Sequence, residues 1–202
     1  MNINNKILNG LKRCSAAVRY INIRRRKITI LSNNCAAVFL YKHFGCKYLS
    51  PTINLQIAPK DYIKLCKNLD YYMNASFEED KSPNNELFKC LGGGLINFPV
   101  GKLSDLIVYF QHYNDFSEAI AKWNERKNRM NKDNIFLVFI DTFCDLETVK
   151  DFFNLPFSNK LFLTNNKDLL INKNCIFLDL KDKPWFDTDW IGKFDFKNWF
   201  LT

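Results

Sequence analysis

Four groups of residues have types and spacings that can do chemistry. Ser32-Asn33-Asn34-Cys35 follows the apolar, β-branched run Ile28-Thr29-Ile30-Leu31 and precedes a helix-compatible stretch from Ala36 to Phe44. A strand-to-helix turn of this kind offers free N–H groups and the positive end of a helix dipole to an anion. Small polar side chains there can hold a phosphate or carboxylate, and the same field would stabilise a thiolate on Cys35. The competing role is plain N-capping by Ser or Asn.

The second group is His112-Tyr113, just after a strand candidate, where His112 can act as a general base. Only two histidines occur, His43 and His112, so His-rich metal sites are excluded. The third group runs from Trp123 to Asn131, where Arg126 and Arg129 are three apart and hence neighbours on a helix face. Such a pair can clamp a diphosphate through bidentate bonds, or it can be a solvated face. The fourth is Asp141, directly after the apolar run Ile135–Ile140. A carboxylate there can bind a metal, act as a base or cap a turn. No Asp-x-Asp stands where many nucleotide-sugar transferases hold a metal; Asp187-x-Asp189 lies in an aromatic tail without a preceding strand. No glycine-rich phosphate loop occurs.

These residues need elements to position them. Strands are expected at Ile28 to Leu31, Ile53 to Ile57, Leu95 to Phe98, Leu106 to Phe110, Ile135 to Ile140, Lys160 to Thr164 and Cys175 to Leu178. Helices are expected at Ala36 to Phe44 (ended by Gly45), from Asp61, from the Asp115-x-x-Glu118 capping box to about Met130, and at Leu146 to Asn154. Residues 78 to 94, acidic and then Pro- and Gly-containing, read as a loop. Alternating strands and helices predict an α/β fold: a mixed or mostly parallel sheet flanked by helices, in three layers. Ile135–Ile140, apolar on both faces, is the central strand. The aromatic C-terminus is expected to pack back onto the body, because an exposed tail of that composition would aggregate.

Composition narrows the classes of function. The seven cysteines include no C-x-x-C pair, which suggests neither a zinc ribbon nor a disulfide framework. The net charge is +8, and residues 1–27 hold eight bases and no acid, leaving 21 bases against 21 acids elsewhere. The expected organisation is a basic arm, 1–27, on a single neutral domain, 28–202. A neutral body argues against a nucleic-acid partner. The arm is suited to peripheral contact with an anionic membrane or to a partner assembly. No apolar stretch approaches the length of a membrane span or a signal h-region, so a cytoplasmic location, peripheral to the inner membrane, is expected.

Read together, the segments ILSNNCAAVFLYKHFGCKYLSPTINLQI, PKDYIKLCKNLDYYM, FPVGKLSDLIVYFQHYNDFSEAIAKWNERKNRMNKDNIFLVF and LPFSNKLFLT resemble successive blocks of an exopolysaccharide-biosynthesis family of unknown function. Ser32, Asn33, Asn34 and Cys35 match its opening motif, Pro51 and Thr52 its Ser-Pro-Thr segment, and His112 and Tyr113 its His-Tyr pair. Trp123, Arg126, Lys127, Arg129 and Asn134 match its Trp-x-x-Arg block. Where the family usually has Trp-Gly-Gly after the cysteine, this chain has Ala36-Ala37-Val38. The resemblance implies a bacterial protein of capsule, exopolysaccharide or lipopolysaccharide assembly, and supplies no reaction. The expected function is a transferase using a nucleotide-sugar donor, with a divalent cation, on a glycan acceptor. In it His112, Asp141 or Cys35 is catalytic, and Ser32 to Asn34, Tyr113, Trp123, Arg126, Lys127, Arg129 and Asn134 bind substrate. An acyl- or other modifying transferase, with Cys35 central, and a non-catalytic accessory protein docked through its basic arm are the alternatives.

Overall fold

The computed structural model describes residues 20–95, 97–141, 144–179 and 188–202. Its centre is a four-stranded, all-parallel sheet in the order β1 (Thr29–Ser32), β6 (Ile135–Ile140), β7 (Asn159–Thr164), β8 (Cys175–Phe177). Between β1 and β6 the chain builds an antiparallel sheet in the order β2 (Gln56–Ile57), β5 (Leu106–Tyr109), β4 (Val100–Leu103), β3 (Phe77–Glu79). The helices are α1 (Ala36–Phe44), α2 (Pro59–Lys67), α3 (Leu69–Asn74), α4 (Glu86–Cys90), α5 (Phe116–Lys127), α6 (Leu146–Asn154) and α7 (Phe196–Trp199).

Every residue of β6 is buried, and its side chains divide by parity. Phe136, Val138 and Ile140 join one core with Ala37, Leu40 and Phe44 of α1 and with Phe196 and Phe200. Ile135, Leu137 and Phe139 join a second core with Tyr62 and Leu65 of α2, Phe152 of α6 and Trp123 of α5. A strand apolar on both faces must be covered on both, because alternate residues point opposite ways. The result is three layers, as the sequence implies. The aromatic tail supplies part of one layer: Phe136 meets Trp199 and Phe200 edge-on, with ring centroids 4.8 and 5.1 Å apart.

The antiparallel sheet departs from expectation. Residues 78 to 94 contain β3 and α4 rather than a single loop, because Phe77 anchors against Trp123, 5.0 Å away edge-on, and β3 pairs with β4. Of the strand expected at Leu95 to Phe98, the described Leu95, Asn97 and Phe98 are in no strand: Pro99 has no N–H for a ladder, and pairing starts at Val100. The strand expected from Ile53 shortens to Gln56–Ile57, since Asn54 takes a left-handed conformation at φ 62°.

Among the described strands β1 pairs only with β6, so its outer edge needs other partners. Hydroxyls supply them: Tyr41 Oη donates to the Ile28 carbonyl (3.0 Å) and accepts from Ile30 N–H (2.8 Å), and Thr52 Oγ1 accepts from Ser32 N–H (3.0 Å). A buried edge satisfied in this way cannot recruit another strand. Replacing Tyr41 by Phe strands the Ile30 N–H in the core, and should cost about 1–3 kcal/mol in urea unfolding with little change in slope.

Candidate functional site

The turn after β1 folds as a closed network. Ser32 Oγ accepts from Ala37 N–H (3.2 Å) and Asn34 Oδ1 from Ala36 N–H (3.0 Å), so both side chains satisfy the start of α1. Asn33 is fully buried, and its amide pairs twice with one residue: Nδ2 donates to the Ile140 carbonyl and Oδ1 accepts from Ile140 N–H, each at 2.9 Å. Its own carbonyl accepts from Ile57 N–H of β2 (2.8 Å). Hydrogen bonds within the protein thus engage all three side chains, those of Ser32 and Asn34 at the start of α1 and that of Asn33 on β6. Burial pushes the Cys35 thiol up to about 11, in the direction opposite to the thiolate stabilisation expected of a helix N-terminus.

Tyr113 and Arg126 do come together beside this turn. Tyr113 Oη donates to the Ile53 carbonyl (2.9 Å) and accepts from the Arg126 guanidinium, which also donates to Ile53 (3.4 Å). Arg126, only 8% exposed, lies over the rings of Tyr48 and Tyr113 at 5.8 and 5.9 Å. No ion pair compensates it among the described residues. Burial raises the Tyr113 hydroxyl's pKa, and Arg126 opposes that rise. Trp123 is core, and its buried Nε1 has no acceptor among the described residues.

The other expected residues are scattered. His112 is exposed in the turn after β5. Asp141 is held at the carboxyl edge of the parallel sheet, its two oxygens accepting from Cys144 N–H (3.1 Å) and Thr164 Oγ1 (2.7 Å). Asn134 Nδ2 donates to the Arg26 carbonyl (3.1 Å). Lys127 ends α5, and Arg129 lies beyond that end rather than on the helix face with Arg126. The two arginines have separate surroundings and form no common clamp. Asp187 and residues 1–19 lie outside the described residues. Among these, no group of three or more His, Cys, Asp or Glu is placed to hold a metal, and no helix is long and apolar enough to cross a membrane.

Arg129 leads to a site that sequence reasoning missed. It lines a cleft of about 350 Å³ with Arg24, Lys27 and Lys47, over a floor of Ile23, Ile28, Cys46 and Leu49. Among the described residues no carboxylate lines it. Arg129 pairs on the rim with Glu125 (3.2 Å), while its buried Nε has no hydrogen-bond partner among the described residues. The local sequence builds the cleft. Residues 20–25 form a helical turn whose Ile23 is buried, so this part of the basic arm belongs to the body. Arg24 Nε donates to the Phe44 carbonyl (3.0 Å), and Gly45, left-handed at φ 60°, leaves room that a Cβ would deny to the Arg24 guanidinium. Asn131 and Asn134 both donate to the Arg26 carbonyl, and Lys27 is held at φ 49°. The run Arg24-Arg25-Arg26-Lys27 immediately before a buried strand was the available signal. A second cleft, about 520 Å³, has Asp80, Asp115, Phe88 and Phe98 among its walls.

Fold and site define an α/β protein with a parallel sheet, an inserted antiparallel sheet and a basic cleft at the amino end of its edge strand. The chain belongs to the family described as a domain of unknown function, DUF1919, matched over residues 8–183. It is similar to an uncharacterized protein of Haemophilus influenzae, 29% identical over 187 residues that cover 86% of this chain and 84% of the relative. Neither description names a reaction or a glycan.

The state of Cys35 is directly measurable. With its pKa near 11, about one thiol in a thousand is ionised at pH 8. Mass-spectrometric mapping of limited alkylation should find exposed Cys90 modified well before Cys35. Cys35 reacting first would restore the activated thiolate.

Proposed function

We propose that this protein is a glycan-pathway transferase that takes an activated, diphosphate-bearing donor, and that the basic cleft holds the diphosphate. The observation that carries the reading is the cleft's wall of Arg24, Lys27, Lys47 and Arg129, with no carboxylate lining it among the described residues. Arg129 is paired with Glu125, but Arg24, Lys27 and Lys47 have no ion pair among the described residues, and like charges gathered at one space repel one another unless an anion neutralises them. A diphosphate fits that demand.

The chemistry this supports is leaving-group stabilisation. When a sugar departs from its diphosphate, negative charge grows on the leaving oxygens, and fixed cations lower the barrier. Among the described residues the lining includes no His, Asp or Glu, so the cleft's part in this reading is to hold the leaving group. The carboxyl-edge group at Asp141 is too distant to help: β1 alone, at roughly 3.3 Å per residue, separates the two ends by about 13 Å. A place in exopolysaccharide, capsule or lipopolysaccharide assembly rests on the sequence resemblance. The thiol-dependent acyltransferase reading loses its support with the neutral, buried Cys35.

Thermal unfolding against inorganic pyrophosphate, nucleoside diphosphates and nucleotide sugars, with and without Mg²⁺, tests this. A ligand at about 100 times its Kd adds roughly 2.7 kcal/mol, which for a chain of this size raises Tm by about 5–10 °C. Pyrophosphate and at least one diphosphate-bearing donor should do so. No shift with any of them, pyrophosphate included, would overturn the reading.

A further inference from the structure

The cleft has two chemistries, and they lie in layers. Its rim is cationic and its floor is aliphatic, from Ile23, Ile28 and Leu49. Among the described residues no aromatic ring lines it to receive a nucleobase, and no carboxylate or side-chain amide lines it to take ribose hydroxyls. A nucleotide would therefore be held by its phosphates alone. A phosphate on an aliphatic chain would use both layers.

The surroundings continue the pattern. On the helical turn 20–25, Ile21, Arg24 and Arg25 fall at i, i+3 and i+4, on one face. Ile21 is 44% exposed there, a large aliphatic side chain in water beside two arginines. The last turn of α1 adds exposed Lys42 and His43, and Lys47 follows just after it. Lys197 lies over the Tyr20 ring at 5.2 Å, bringing the C-terminal segment's charge to the same face. Cationic residues around an exposed aliphatic group are what an anionic bilayer surface attracts and then accepts.

We infer that the cleft takes the phosphate group of a membrane lipid, with the face bearing Ile21, Arg24, Arg25 and Lys47 lying against an anionic bilayer. This rests on the diphosphate-cleft reading and specifies it: the phosphate is borne on a lipid rather than on a nucleoside. No covalent step is implied, only binding.

The test uses the full chain in vesicle sedimentation, with phosphatidylcholine vesicles compared with phosphatidylcholine–phosphatidylglycerol vesicles, alongside equilibrium binding of inorganic pyrophosphate in solution. The protein should sediment with the anionic vesicles and not with the neutral ones, and pyrophosphate should displace it. Lys27→Gln/Lys47→Gln, two exposed changes that leave the core untouched, should weaken vesicle binding by roughly tenfold or more. Ile21→Asn should weaken vesicle binding while leaving pyrophosphate binding unchanged, which separates a lipid surface from a free phosphate. Pyrophosphate binding without vesicle binding would overturn the lipid inference and leave the diphosphate cleft standing. Anionic-vesicle binding indifferent to Lys27→Gln/Lys47→Gln would also overturn it, because the cleft would not be the locus. Binding of neither probe would remove both readings.

Discussion

Asn33 ties the two sheets together, its side chain to the central strand and its backbone carbonyl to the inserted sheet. Its amide copies a strand's hydrogen-bonding pattern, closing both polar groups of Ile140 at the carboxyl end of β6, while its backbone carbonyl takes the N–H of Ile57 in β2. One residue thus joins the central strand, the edge strand's turn and the inserted antiparallel sheet. All three groups are buried, and leaving any of them unpaired costs about 1–3 kcal/mol. The direction of α1 follows from this turn, and so does the course of residues 46–53 alongside β1, where Thr52 reaches Ser32 and Ile53 receives Tyr113 and Arg126.

That arrangement sets the cleft at the opposite end of β1. The segment that supplies Lys47 and Leu49 to the cleft turns Tyr48 the other way, against Arg126. Arg126 therefore stays inside as a buried cation held by two oxygens and two rings, and Arg129, three residues on, emerges into the cleft. The second cleft borders Asn114 and Asp115, at the start of α5. A twelve-residue helix is about 18 Å long, so the two clefts are too far apart to share one reacting bond.

The layers of the fold were legible because they depend on short-range pattern. Ile135–Ile140 announces a strand covered on both faces, Gly45 and the Asp115 cap mark helix ends, and each appears where the residues imply. The antiparallel sheet was less legible, since its acidic edge strand β3 carries loop-like residues and depends on Phe77 reaching Trp123 across the fold. The residues singled out at the β1 turn were real focal points, but their polarity serves hydrogen bonds within the protein. What the sequence concealed was the convergence of Arg24 and Lys27 with Lys47 and Arg129, contacts spanning about a hundred residues that no local spacing encodes.

The central claim is that four side chains at the amino end of β1 make one anion site. Isothermal titration of inorganic pyrophosphate, at low and at moderate salt, into the protein and into Lys47→Gln/Arg129→Gln tests it most directly. The account predicts a single site that weakens as salt rises and is lost in the double variant, with unfolding of the variant otherwise unchanged. Equal affinity in both proteins, or no binding to the unaltered chain, would contradict it.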